Sequence, residues 1–533
     1  MKISRRDFAT MAGNALAATG FLACVPEPLL AFTPESASDD LAGLTLLEAS
    51  TRIRNRSVTS TQLTKALLDR IAIYDPKVNA YITVMASEAL RQAAQLDEEA
   101  RAGKFRSPLH GIPLSLKDNI DTAGTRTTAA SPMFRNRVPN EDAEVVTKLK
   151  AAGAVILGKV NLHEFALGCS GDVSYFGPSR NPWNLELVTG GSSAGSGAAV
   201  AADLCYGALG TDTGGSIRVP SSWCGIVGIK PTVGLVSIRG IIPCLASLDH
   251  CGPMARTVED VALMLTELAG YDNLDPFSVD APKQDYFKLM KQPVSSFRLG
   301  APVEFYDHLE PEVAEIVAAA VLVLGKLTQG VTSRAPLPEI PLGENFFNAL
   351  GDTAAYHAPL IKQSGMEYMP PSVIDMKAIM TPATAADGST AHVSLTMYRR
   401  QIDAAFKDVD LVVVPTTTSL PKTIKDSLKY EISERKPTKA YDFFGPGSGC
   451  DNTVAFDVYG VPALTLPCGF SKSGLPVGLM IAGPHFSEGK VLALAYAFQQ
   501  ATDWHKRKPP LTPKMQVPPL VEAGDETNQP GKS

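Results

Sequence analysis

The 533-residue chain is expected to be an α/β protein, with a large mixed β-sheet covered by helices on both faces. Three observations predict this. Segments of helical period alternate with short apolar runs along the chain. Those runs are apolar at every position, which suits strands buried on two sides. Apolar residues make up 45% and charged residues 20% of the chain, an ordinary globular balance with ample material for a core.

The elements follow in order. "STQLTKALLDRIAIYD" places Leu63, Leu67, Ile71 and Tyr74 on one helical face, with Thr59 or Ser60 as the cap. Residues 86–103 and 141–152 read as two further helices, and "AVILG" from Ala154 as a buried strand. "ARTVEDVALMLTELAG" is a helix closed by Gly270. "LVVVP" from Leu411, "PALTLP" from Pro462 and "GLMIAG" from Gly478 are buried strands. Residues 271–297 read as a looser connector. Residues 338–450, rich in Pro, Gly, Ser and Thr, are expected to form variable helices and loops beside a site. The tail after Trp504 is rich in proline and polar residues, and 516–533 is expected to be disordered.

The chain's start reads as a targeting segment. Arg5 and Arg6 precede the weakly apolar "MAGNALAATGFLACV", a pattern similar to a twin-arginine export signal. Gly13, Asn14 and Gly20 interrupt that stretch, and a membrane span needs about 20 apolar residues. Residues 1–31 are therefore expected to be removed after Ala31, leaving 32–515 as one folded domain, periplasmic or secreted. Cys24 in "FLAC" is an alternative point of lipid anchoring. Formal net charge is −6 and no long basic run occurs, which argues against nucleic acid as the main partner.

Cleavage at that point would leave seven cysteines: Cys169, Cys205, Cys224, Cys244, Cys251, Cys450 and Cys468. Their spacing is not that of a zinc site. Buried free thiols are expected, with Cys244–Cys251 as a candidate disulfide. His163 in "NLHEFA" lacks the second histidine of a zinc motif, and no metal or cofactor is implied.

Two glycine–serine clusters carry the candidate chemistry. "GGSSAGSG" lacks the Lys-Ser or Lys-Thr that follows a phosphate-binding loop. "GSSAG" matches the nucleophile-elbow pattern around Ser193, but where a strand should precede it "SRNPWNLELVTG" has an Asn-Pro-Trp turn and only a brief apolar stretch. In "GTDTGGSIRVP", Ser216 follows Gly214 and Gly215, whose backbone can aim successive N–H groups at one point. A hydroxyl beside such a nest suits acyl transfer, but a plain Gly-Gly turn has the same local appearance. Lys117 ends the apolar run "PLSLK", where burial would lower its pKa. The alternative is a lysine paired with Asp118.

Together these segments resemble the amidase signature family. The matching pieces are "GIPLSLKDNI", "GAVILGKVNLHEFALG", "FGPSRNPW", "TGGSSAGSGAAVAA", "GTDTGGSIRVPSSWCGIVGIKPT", "SLDHCGPMARTVEDVALML" and "GVPALTLPCGFSKSGLPVGLMIAG". They span about residues 45–508 in order. The resemblance implies a single amidase-signature domain with a Ser–Ser–Lys set. Ser216 would be the nucleophile, Ser192 the bridging serine after a cis bond from Gly191, and Lys117 the base. Backbone N–H groups of Thr213, Gly214, Gly215 and Ser216 would form the oxyanion hole, with Asp212 and Arg218 in support. Ser193 would be a neighbour, not the attacker.

The implied reaction is hydrolysis of a carboxylic amide through a serine acyl-enzyme, with a free-standing exported amidase expected first. The implied partners are a small-molecule amide and at most a second copy of the chain in a homodimer. The family also includes the glutaminase subunit of a tRNA-dependent amidotransferase. Asp172-Val173 stands where that subunit has Glu-Asn, and "TVAFDVYGVPAL" replaces its "TVPANLAGLPAL". Esterase or carbamate hydrolysis is a further alternative, and an exported binding protein without catalysis another. Phe346, Phe347, Tyr356, Phe443 and Phe444 are candidates for an apolar pocket wall, or equally for the core.

Overall fold

A computed structural model describes residues 40–334, 337–338, 350–381, 384–431 and 449–520. Residues 1–31, the tail from 521, Phe346, Phe347, Phe443 and Phe444 lie outside the described residues.

The chain builds an eleven-stranded mixed sheet. Its strands in chain order are β1 (Tyr81–Val84), β2 (Pro113–Lys117), β3 (Val155–Val160), β6 (Gly207–Asp212), β7 (Val227–Lys230), β8 (His250–Ala255), β9 (Leu299–Pro302), β10 (Val331–Arg334), β11 (Leu411–Pro415), β12 (Ala463–Phe470) and β13 (Pro476–Ala482). Strands β4 (Arg180–Asn181) and β5 (Asn184–Val188) form a separate two-stranded ladder. The spatial order is β1-β3-β2-β6-β8-β7-β12-β13-β11-β9-β10. Parallel pairing joins β3 to β2 and β2 to β6. Pairing then turns antiparallel from β6 through β8, β7 and β12 to β13.

Every residue of β2, β3, β6, β7, β8, β11 and β13 is buried. This is the covered sheet that the uniformly apolar runs predict. Helix α1 (Ser60–Val78) begins at Thr59, whose hydroxyl accepts from Gln62 N–H while the Gln62 side chain accepts from Thr59 N–H. Its Leu63, Leu67 and Ile71 face the core. Helices α2 (Ala86–Arg101) and α3 (Glu144–Ala152) fall where their periodicity places them. The 255–270 stretch divides: Ala255 ends β8, and the helix runs Val258–Leu268 behind a Thr257 cap. The connector 271–297 holds one short helix, Tyr286–Leu289.

The cysteine expectation needs correction. Cys169 and Cys450 form a disulfide across 281 residues of sequence. Cys244 and Cys251, the candidate pair, are free and buried, as are Cys205, Cys224 and Cys468. Spacing along the chain gave no hint of a bridge between loops so far apart.

Candidate active site

Lys117 is the last residue of β2 and Asp212 the last of its parallel neighbour β6, so the two strand ends open onto one place. Lys117 is fully buried. Its Nζ lies 2.7 Å from Ser192 Oγ and 2.7 Å from Thr211 Oγ1. Burial pushes its pKa from 10.5 down to about 7, against the nearby Cys244, Asp249 and Asp212, which favour the ammonium. Asp118 is not its partner. That carboxylate pairs with Lys159 at 3.2 Å and accepts from the Thr128 hydroxyl and N–H.

A strand does precede the first glycine–serine cluster, β5 within the brief apolar "NLELV", and the cluster leads into helix α4 (Ala194–Ala201). All eight residues of α4 are small and buried. A Cβ on Gly195 would stand 2.4 Å from both Ala80 O and Asn161 N, so the helix start rests directly on backbone. The Gly191–Ser192 bond is cis. The Ser192 carbonyl accepts from His163 N–H at 3.0 Å. Ser193 Oγ donates to the Thr211 carbonyl at 3.1 Å and accepts from Thr211 N–H at 3.2 Å. Ser193 is thus tied to the edge of β6, and the elbow pattern around it is coincidental. The Ser193 N–H reaches the Ser216 carbonyl at 3.3 Å, which brings the two serine clusters together.

The second cluster runs from β6 into helix α5 (Arg218–Cys224). Its turn is shaped by Asp212. Oδ1 accepts from Gly215 N–H at 2.6 Å, and Oδ2 from Ile217 N–H at 2.9 Å. Arg218 donates to both oxygens, at 3.0 Å from Nε and 2.9 Å from Nη2. Burial alone would raise the Asp212 pKa, and the guanidinium more than offsets it, holding the carboxyl well below its usual range. Ser216 is buried, 5% exposed.

Four contributors were not evident from the sequence. Thr211 holds Lys117 from β6. Thr453 Oγ1 donates to the Gly214 carbonyl at 2.5 Å. Asp249 accepts from the Thr213 hydroxyl at 2.5 Å. Asp457 takes Arg218 Nη2 at 2.5 Å. Thr211 stands inside "GTDTGGS" and could have been suspected, but the others come from distant segments. Gly215 has φ +140, and a Cβ there would stand 2.1 Å from Thr453 Oγ1. Only glycine fits this position. His163 packs under the loop, its Nδ1 3.3 Å from Gly171 N and 4.0 Å from Asp172. No group of metal-ligating side chains occurs among the described residues. Tyr356 is partly buried against the cluster that includes Phe165 and Tyr368.

A buried amine beside a serine, a second serine in a glycine-rich turn and a wide covered sheet are the features by which the sequence resembles the amidase signature family. The family described as Amidase matches residues 62–492, and the chain belongs to that amidase-signature family. It is an amidase-family enzyme. The A subunit of the Moorella thermoacetica glutamyl-tRNA(Gln) amidotransferase is 39% identical over 498 residues, covering 89% of this chain and 99% of its own. The solved 6-aminohexanoate cyclic dimer hydrolase in complex with substrate superposes with a TM-score of 0.80 at 27% identity, covering 88% of this chain and 99% of its own. The native peptide amidase of Stenotrophomonas maltophilia gives 0.73 at 33% identity, covering 88% and 99%.

These comparisons overturn the periplasmic expectation. Relatives matched over nearly their whole length are named as glutamyl-tRNA(Gln) amidotransferase A subunits, and they give no support to an export signal, a twin-arginine route or a lipid anchor. Arg5 and Arg6 before a weakly apolar stretch form too short a pattern to outweigh that likeness. Among the described residues no helix is long and apolar enough to cross a membrane.

Proposed function

We propose that the chain hydrolyses the side-chain amide of glutamine through an acyl-enzyme on Ser216, releasing ammonia as the glutaminase subunit of an amidotransferase does. The single observation that carries the chemistry is Lys117, buried 2.7 Å from Ser192 Oγ with a pKa near neutrality. The curated relatives, at 36–39% identity, carry the choice of glutamine. This reverses the order reached from the sequence, which put a free-standing amidase first.

The neutral amine accepts the Ser192 proton, and Ser192 accepts that of Ser216. Ser216 Oγ then attacks the amide carbon. The oxyanion is met by backbone N–H groups of Thr213, Gly214 and Ser216. Gly215 drops out of the expected set, because its N–H is given to Asp212. Ser192 returns a proton to the leaving nitrogen, and water cleaves the Ser216 ester to free the acid. The Thr211 hydroxyl accepts from Lys117 and keeps the amine's lone pair directed at Ser192.

A second reading, a free-standing amidase for another primary amide, is favoured by the two departures noted in the sequence. Both fall in the framework of the site. Asp172 is buried in the loop beneath Gly191, and Asp457 binds Arg218. Ammonia release from glutamine and from a panel of primary amides decides between the readings, with Ser216→Ala as control. Glutamine turnover and co-purification of partner proteins support the first. Turnover of other amides by the lone chain, with glutamine inert, replaces it with the second. Full activity in Ser216→Ala would refute both.

A further inference from the structure

The Cys169–Cys450 disulfide touches both halves of the site. On one side, the Cys169 carbonyl accepts from Gly191 N–H at 2.7 Å, one residue before Ser192. The turn that carries Cys169 lies so close that a Cβ on Gly191 would stand 2.6 Å from Gly171 N and 3.2 Å from Gly168 O. On the other side, the Cys450 carbonyl accepts from Thr453 N–H at 3.0 Å. The Thr453 hydroxyl, 3.1 Å from that same carbonyl, donates to the nearer Gly214 carbonyl at 2.5 Å. Both half-cystines belong to one apolar cluster with Val188, Val219 and Trp223. Val188 ends β5 before the Ser192 cluster, and Val219 and Trp223 lie in the helix that follows Ser216.

A chain of short contacts therefore runs from Ser192 through Gly191 and the disulfide to Thr453, Gly214 and the Ser216 turn. Lys117 and Asp212 stand at the strand ends of the site, and the disulfide links the loops beside its two serine clusters. We propose that Cys169 and Cys450 are positioning residues for acyl transfer: their bond fixes the spacing of the Ser192 loop against the Ser216 turn, and its reduction slows acylation. Neither sulfur meets substrate. The step is a thiol–disulfide exchange. An external dithiol supplies two electrons and two protons, the S–S bond opens to two thiols, and the dithiol closes to its own disulfide. The inference rests on the Ser216 acyl-enzyme reading.

The test uses the full chain. Wild type, wild type reduced with dithiothreitol and then reoxidised, and a Cys169→Ser/Cys450→Ser variant are compared. The readouts are the rate of labelling by a fluorophosphonate, kcat and KM on a cleaved amide, and melting temperature. Labelling and turnover are measured well below each protein's own melting point, and mass spectrometry after alkylation counts the thiols. A displacement of about 1 Å in such a site costs about 100-fold in rate, so a partial loosening is expected to cost about tenfold or more in labelling rate and kcat. KM should change little. Reoxidation restores the wild type, and the double variant stays slow whatever the redox state. A merely structural bridge would lower the melting temperature and leave the labelling rate and kcat intact, and that result overturns the proposal. If the variant does not fold, the reduced wild type decides. If reductant does not reach the bond, the variant decides. Oxidised wild type that takes no label at Ser216 would sink the acyl-enzyme reading, and this inference with it. Normal labelling that is indifferent to the bond sinks this inference alone.

Discussion

The pH dependence of kcat/KM tests the role of Lys117 most directly. The perturbation is pH, with Lys117→Arg as a control whose guanidinium does not deprotonate at any assay pH. Burial moves the Lys117 pKa from 10.5 to about 7, which corresponds to about 5 kcal/mol of differential stabilisation of the neutral amine. Only the neutral form accepts the Ser192 proton, so the rate must rise with pH. About half the molecules are active near pH 7 and about a tenth at pH 6. The expected kcat/KM is thus about fivefold lower at pH 6 than at pH 7, and it gains at most about twofold above that. An unburied lysine would leave about one molecule in three thousand competent at pH 7. The assay is initial-rate ammonia release from a cleaved amide between about pH 5.5 and 9.5, on protein whose fold is checked at each pH. A rate that is flat across that range, a midpoint above about 9, or an active Lys117→Arg protein would refute the reasoning.

Ser193→Ala is expected to keep fluorophosphonate labelling, and Ser216→Ala to abolish it; mass spectrometry of the labelled peptide reads both. Gly215→Ala places a methyl 2.1 Å from Thr453 Oγ1 at a φ of +140. Denaturant titration should show about 2–4 kcal/mol lost, and labelling should fall with it. Thr453→Val keeps the side chain's shape and removes its bond to the Gly214 carbonyl. It should cost about 1 kcal/mol of stability and lower kcat more than it changes KM, as seen by melting and steady-state kinetics.

The covered sheet was legible because burial on two faces leaves an unbroken apolar run in the sequence. Lys117 was legible for the same reason, as a charge at the end of such a run. Ser192, Ser216, Asp212 and Arg218 share local signatures, and a turn built by neighbouring residues can be seen from its neighbours. Thr453, Asp249 and Asp457 could not be found that way. Each reaches the site from another strand end or helix, and a lone threonine or aspartate carries no trace of the loop it will meet. Gly215 shows the limit well. Its freedom to adopt positive φ could be anticipated, but the reason no side chain fits is a hydroxyl 238 positions further along. The disulfide was missed on similar grounds: buried free thiols were expected with Cys244–Cys251 as the candidate pair, while the fold pairs Cys169 with Cys450.

The parallel pairing of β2 with β6 has a consequence for how the enzyme comes to life. Lys117 meets Thr211 across 94 residues, and Arg218 meets the Thr453 carbonyl across 235. Long-range pairings of this kind form late, after local helices and hairpins have settled. A nascent chain that has emerged only through Ser216 holds that serine's turn without the Thr453 clamp. Fragments that end before Thr453 lack these contacts, and the return of amide hydrolysis during refolding is expected to follow their formation rather than the first collapse.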